Sequence, residues 1–243
     1  MYKQAGLYVR KTIKHGIVYN IYTQNFSHPW IILLPGLPQY VHKQAYLKQL
    51  TKSYSVLVPY YPGSFHSDGK FTVKNVRDTL PSCLNLIRHG NFYDYFDKRN
   101  YQCNTEIKYI LGLSFGGNVL FDYMSDSLLE NIIPVFVSPM FNISSPSQSK
   151  YCEEKLNFLE SQVYKNVYRG LNKERFMQWM KLLESKTVSS NQKGQLVFGR
   201  DDKYMEESFL EEKFPMFTIK RIFGYSQEVA SILEHYIQYN LNL

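Results

Sequence analysis

The 243 residues, 44% apolar and 16% aromatic, suffice for one sizeable domain with a large core and exclude a disordered chain. The formal charge of +7 is dispersed among acids, as from Lys150 to Glu160 and Lys173 to Lys186, with no basic stripe or tail, so nucleic acid is not an expected partner. Cys83, Cys103 and Cys152 lack a CxxC pair and Met1 to Tyr22 lacks an apolar leader, while no run is long enough to span a bilayer; the expectation is a reduced, cytoplasmic protein without a disulfide framework or zinc site.

Two β-like stretches open the chain, Leu7 to Ile13 and Ile17 to Tyr22, around a turn at Lys14-His15-Gly16. Trp30 to Leu34 is a short continuous apolar run ending at Pro35-Gly36, the pattern of a strand covered on both faces. Tyr40 to Leu50 reads as a helix and Ser55 to Val58 as the next buried strand. A loop rich in Gly, Pro and Ser follows, Tyr61 to Gly69. Val73 to Arg88 reads as helical, with Thr72 as N-cap and Pro81 as a kink or restart.

Lys108 to Leu111 is a further strand, running into Gly112-Leu-Ser-Phe-Gly-Gly117 and a helix from Asn118 to Met124. Ile132 to Val137, Gln195 to Phe198 and Thr218 to Ile222 complete the strands. Gln227 to Tyr239 closes the chain as an amphipathic helix. This alternation predicts an α/β fold with a mostly parallel, eight-stranded, doubly wound sheet. It breaks only between Phe141 and Gly194, where Tyr151 to Val167 and Lys173 to Leu183 read as two amphipathic helices with no strand between them. That segment is expected to be a cap-like insertion in a single domain over residues 1–243, either roofing a pocket or packing on the core.

Gly112-Leu113-Ser114-Phe115-Gly116 satisfies G-x-S-x-G directly after a strand and before a helix. A serine at so tight a turn needs small residues two positions away on either side. The turn projects Oγ from the sheet edge, where the amides of the following helix face developing negative charge. On these residues the chain resembles the α/β-hydrolase superfamily of serine esterases, thioesterases and peptidases. By that resemblance Leu34-Pro35-Gly36-Leu37 sits at the oxyanion loop, with Pro35 where a histidine is usual, and the N–H groups of Leu37 and Phe115 would form the oxyanion hole. Pro38 has no N–H to offer. Gly199-Arg-Asp-Asp202 resembles the family's acid turn, with Asp202 orienting the base and Asp201 as the alternative.

The family's histidine is expected after the last strand, where this chain reads Ile222-Phe-Gly-Tyr225-Ser-Gln227, with Tyr225 in its place. A hydroxyl without a general base is a poor nucleophile. His235 falls well inside the last helix, on its wet face. His66, in the loop after the fourth strand, is the favoured substitute, followed by His42 just beyond the oxyanion loop; His15, His28 and His89 occupy turns or a helix end. No P-loop, dinucleotide fingerprint or metal cluster competes, so no cofactor is expected. The expected function is a serine hydrolase that cleaves a small ester, thioester or amide through an acyl-serine at Ser114. The alternative is an inactive homologue that binds a small ligand or a protein partner.

Overall fold

The computed structural model describes residues 8–38, 44–141, 144–161, 164–186, 188, 192–202, 207–222 and 229–240. Strands β1 (Tyr8–Lys14) and β2 (Ile17–Thr23) form an antiparallel pair around a turn at His15 and Gly16, both at positive φ. β3 (Trp30–Leu34), α1 (Gln44–Leu50) and β4 (Ser55–Pro59) follow, every residue of both strands being buried. Then come α2 (Val73–Arg77), α3 (Thr79–Arg88) and a hairpin of β5 (Asn91–Asp94) with β6 (Arg99–Gln102). The chain continues through β7 (Ile107–Leu113), α4 (Phe115–Phe121) and β8 (Ile133–Val137). Helices α5 (Pro146–Glu160) and α6 (Lys173–Glu184) lead to β9 (Gly194–Gly199), α7 (Glu207–Lys213), β10 (Phe217–Ile222) and α8 (Val229–Asn240).

The main sheet has eight strands in the order β1-β2-β4-β3-β7-β8-β9-β10, parallel from β4 onward. Only β1 with β2 and β2 with β4 pair antiparallel. Strand alternation divides the core between the two faces. Ile31, Leu33, Val56 and Val135 face α1 and α8, packing with Leu47, Leu50, Ile232 and Leu233. Trp30, Ile32, Leu34 and Phe136 lie on the opposite side with α3, α4 and the 146–184 helices. Residues i and i+2 of a strand share a face, so these continuous apolar runs supply both layers at once.

The helix expected from Val73 breaks at Asp78, not at Pro81. Thr72 caps α2 by accepting from the Asn75 N–H at 3.3 Å, and α3 restarts at Thr79. Pro81 thus sits in the first turn of α3, where a missing N–H leaves no bond unmade. The helix after Ser114 begins at Phe115, three residues before the expected Asn118. The first insertion helix spans 146–160, shifted toward the N-terminus from the expected 151–167. The β5–β6 hairpin and α7 were not anticipated; β5 turns only Phe92 and Asp94 inward.

Asp122 ties the helical segment between β8 and β9 to the sheet. Its side chain, 2% exposed, forms ion pairs with Arg77 Nε and Lys186 Nζ and accepts from Trp179 Nε1 at 3.1 Å. Removing the carboxylate from a buried pair costs most when its cations cannot reach water. Arg77 and Lys186 are 43% and 41% exposed and can turn outward, whereas Trp179 is buried and would keep an unpaired N–H. Asp122→Ala is therefore expected to lower stability by about 2–3 kcal/mol, read from the urea midpoint at unchanged slope.

Candidate active site

Ser114 follows the last residue of β7 and precedes the first of α4, with φ 48° and ψ −115°. Its N–H donates to Val137 O at 2.9 Å and its carbonyl accepts from the Gly117 N–H at 2.9 Å, so the turn is held to the neighbouring strand and to its own helix. A left-handed φ at a residue bearing Cβ costs on the order of 1 kcal/mol or more, and persists only where the surroundings over-determine it.

The surroundings here are backbone. A Cβ on Gly116 would lie 2.1 Å from Leu34 O, and one on Gly112 would lie 2.7 Å from the Gly117 Cα. The two glycines of the motif let α4 start against β7 and β3 with no spacing for a side chain. Gly36 brings the loop after β3 to the same place, since a Cβ there would stand 3.1 Å from Ser114 Cβ. Tyr61, fully buried, fixes that loop by donating its hydroxyl to Pro35 O at 2.8 Å. Among the described residues, neither the loop N–H of Leu37 nor the Phe115 N–H at the start of α4 donates to a backbone carbonyl of a turn, loop or neighbouring element.

Ser114 and Asp202 line one small pocket together with Ser138, Pro139, Met140, Gln148, Tyr151 and Val229. Its free space is about 10 Å3, room for a single water. Asp202 is buried in the turn after β9, its N–H bonded to Gly199 O at 3.0 Å, while Asp201 is exposed. Ser138, the residue after β8, also carries a positive φ of 40°, and its N–H donates to Val197 O at 2.8 Å. Three adjacent parallel strands thus deliver Ser114, Ser138 and Asp202 to one sheet edge. α5 closes that edge with Gln148 and Tyr151.

Apolar packing surrounds the elbow on its helical side. The Phe115 ring lies 5.8 Å from Phe176, Trp179 and Tyr61, and Phe71 stacks on Phe176 at 5.2 Å. Phe176 and Trp179 belong to α6, so the helical segment both packs on the core through α6 and lines the Ser114 pocket through α5. A second cavity, walled by Phe121, Phe141, Met180, Leu183 and Phe214, meets this pocket at Met140.

The structure does not bring His66 to this pocket. His66 is exposed, its ring edge-on to Tyr60 at 6.3 Å, and it is absent from the pocket's lining. Its neighbours are committed elsewhere. Ser67 Oγ accepts from the Val18 N–H at 2.9 Å and donates to Tyr60 O at 2.8 Å. The Phe65 N–H donates to Val167 O, and the Arg169 guanidinium donates to the carbonyls of Phe65 and Ser67. The loop clasps the helical segment, leaving His66 on its outer side.

His15 and His89 are exposed, His28 precedes β3 at the opposite sheet edge, and His235 is half-buried against Tyr239 at 4.7 Å. None of these lines the pocket either. His42 and Tyr225 lie outside the described residues. The thiols offer no alternative nucleophile: burial pushes Cys103 up to about 11 and Cys83 and Cys152 higher still. Sequence reasoning missed Ser138 and Gln148. Ser138 had a readable signal, a serine ending the strand beside the elbow; Gln148 had none.

No family model matches the sequence, and no curated protein matches it. Solved structures do match in shape. A lipase candidate of Acinetobacter baumannii superposes with a TM-score of 0.62 at 15% identity, over 97% of this chain and 90% of that one. An esterase of Pyrococcus furiosus gives 0.58 at 16% identity, over 96% and 87%. A serine hydrolase involved in carbazole degradation gives 0.57 at 14% identity, over 96% of each. With the strand order and the glycine-bound elbow, these likenesses show that the chain has the α/β-hydrolase fold.

Proposed function

We propose that the protein is a serine hydrolase that cleaves an ester, thioester or amide of a small acyl substrate, with Ser114 as nucleophile. The observation that carries this reading is the meeting of Ser114, at a strained strand-to-helix turn, with buried Asp202 in one pocket. Ser114 Oγ would attack the carbonyl carbon, and the charge arising on the carbonyl oxygen would be met by the N–H groups of Leu37 and Phe115. Fixed main-chain donors stabilise such charge without reorganising. The acyl group would lie toward Met140, which lines both this pocket and the neighbouring apolar space. Asp202 would orient the base, and with His66 held at the surface, His42 is the imidazole proposed for that role. No helix among the described residues is long and apolar enough to cross a membrane, and all three cysteines are free thiols, in keeping with a protein of a reducing compartment.

The second reading, an inactive homologue that binds a ligand or protein partner, draws on two observations. None of the five described histidines lines the pocket, and the pocket is closed to about 10 Å3. A fluorophosphonate probe separates the two. Labelling of the folded protein at Ser114, lost in Ser114→Ala, is the expected result for the hydrolase. Absence of labelling from pH 6 to 9, with intact thermal unfolding, would leave the binding protein.

A further inference from the structure

Two polar side chains in the Ser114 pocket lack the bonds their burial demands. Ser138 is 7% exposed and Gln148 2% exposed, and neither Ser138 Oγ nor Gln148 Oε1 has a hydrogen-bond partner among the described residues. Buried polar atoms are nearly always paired, so each such exception calls for a physical reason. Gln148 had a local partner within reach. Ser145-Pro-Ser-Gln148 has the spacing of a capping box, in which the glutamine side chain would return to the N-cap N–H. Here Ser145 makes no capping bond, its Oγ pairing instead with Ser147 Oγ at 3.1 Å, and Gln148 lines the pocket. Ser138 carries its own mark, a left-handed φ of 40° at a residue with a Cβ, one strand away from the equally strained Ser114.

We propose that Ser138 Oγ and Gln148 Oε1 form a polar subsite beside Ser114 that recognises a hydroxyl group on the ligand. The size and the chemistry of the niche agree on this class. Its free space is that of one water, which a hydroxyl fills and a ring or branched group overfills. Gln148 Oε1 can only accept, whereas the Ser138 hydroxyl can donate or accept. A ligand hydroxyl that reaches both atoms can donate to the first and accept from the second. A methyl in the same position leaves both unpaired, and binding sites discriminate most strongly against such an analogue. The inference rests on Ser114 marking the ligand site, and it holds whether the ligand is hydrolysed or only bound.

The test compares 2-hydroxyethyl butyrate with propyl butyrate, equal in size and differing in one hydroxyl. The wild-type protein is expected to favour the hydroxyl ester by at least tenfold in kcat/KM. Gln148→Leu and Ser138→Ala should each bring the ratio of the two kcat/KM values toward unity, slowing the hydroxyl ester more than propyl butyrate. The unliganded variants should melt about 2 °C higher than wild type, because each removes a buried polar group that the folded protein leaves unpaired. Equal turnover of both esters by the wild type, or variants that slow both esters alike, would overturn the subsite and leave the hydrolase standing. If the wild type hydrolyses neither, the fluorophosphonate label decides the hydrolase reading separately, and the subsite is decided by thermal-shift titration. The hydroxyl ester should then raise the wild-type Tm more than propyl butyrate does, an excess that Gln148→Leu removes. No excess in the wild type means that a resident water alone occupies the niche, and the proposal falls.

Discussion

Gly116→Ala is expected to abolish cooperative folding, whereas Gly36→Ala, two residues beyond β3, is expected to yield a folded protein. The difference is in what each new methyl meets. At Gly116 it would lie 2.1 Å from Leu34 O, 2.7 Å from Leu34 C and 2.9 Å from Pro35 O, all main-chain atoms of β3 and the loop that follows. No side chain can rotate away to relieve that contact. The remaining relief is to move α4 off β3, which separates Phe115 from Leu34 in the core and draws the Ser114 turn away from the Gly36 loop. A change of that kind exceeds about 4 kcal/mol, a large part of the 5–15 kcal/mol that holds a domain of this size. At Gly36 the nearest atoms are Ser114 Cβ at 3.1 Å and Leu113 O at 3.2 Å, contacts that a shift of a few tenths of an ångström relieves. That substitution should cost about 1 kcal/mol. Urea unfolding followed by circular dichroism checks both. A Gly116→Ala protein with the wild-type midpoint would mean that α4 does not pack against β3 as described.

The same glycines explain why this part of the fold was legible in the sequence. A G-x-S-x-G string between an apolar run and an amphipathic segment is a steric statement: small residues are required where backbone meets backbone. Gly112 and Gly116 bear it out atom by atom. The buried strands were equally plain, because Trp30 to Leu34 and Ser55 to Val58 must be covered on both faces and only a parallel sheet between helix layers does so. The β5–β6 hairpin was illegible for the opposite reason. Its strands are mostly exposed and polar, and it is held by Asp94, which accepts from the N–H groups of Lys11 and Phe96 and lies 3.5 Å from Arg10. Such long-range polar anchoring leaves no period in the sequence. The pocket divides along the same line. Ser114 and Asp202 were readable because each belongs to a local turn pattern, while Gln148 reaches the pocket only through the packing of α5 across 33 residues of intervening chain. His66 lay in a loop expected at the correct sheet edge, but that loop spends its hydrogen bonds on Val167, Arg169 and Val18, a tertiary commitment invisible in the string Tyr61 to Gly69.

A histidine series on an ester substrate is expected to fall into two classes, with Ser114→Ala, Asp202→Asn and His42→Ala in one and His66→Ala in the other. Members of a nucleophile–base–acid set act as a unit. Losing the nucleophile or the base should therefore lower kcat by about 10³- to 10⁶-fold, and Asp202→Asn by about 10⁴-fold by leaving the imidazole in the wrong tautomer. The double variant Ser114→Ala with His42→Ala should be no slower than either single one, since one loss already disables the set. His66→Ala should stay within about twofold of wild type, because its ring is exposed against Tyr60 and takes no part in the pocket of Ser114 and Asp202. The pH profile supplies the sign. An imidazole accepts the serine proton only when neutral, so kcat/KM should rise through about pH 6 to 7 and level off above it. The rising limb should vanish in His42→Ala, leaving a residual rate of about 10³ to 10⁴ over water from the oxyanion donors alone. A steep loss in His66→Ala would require the Tyr61 to Gly69 loop to turn inward and would return His66 to the role of base. Full activity in both histidine variants together with loss in Ser114→Ala would show that the base is not an imidazole at all. In that event Asp202, the carboxylate already in the pocket, becomes the group to substitute, and the rising limb in the imidazole range should be absent from the wild-type profile.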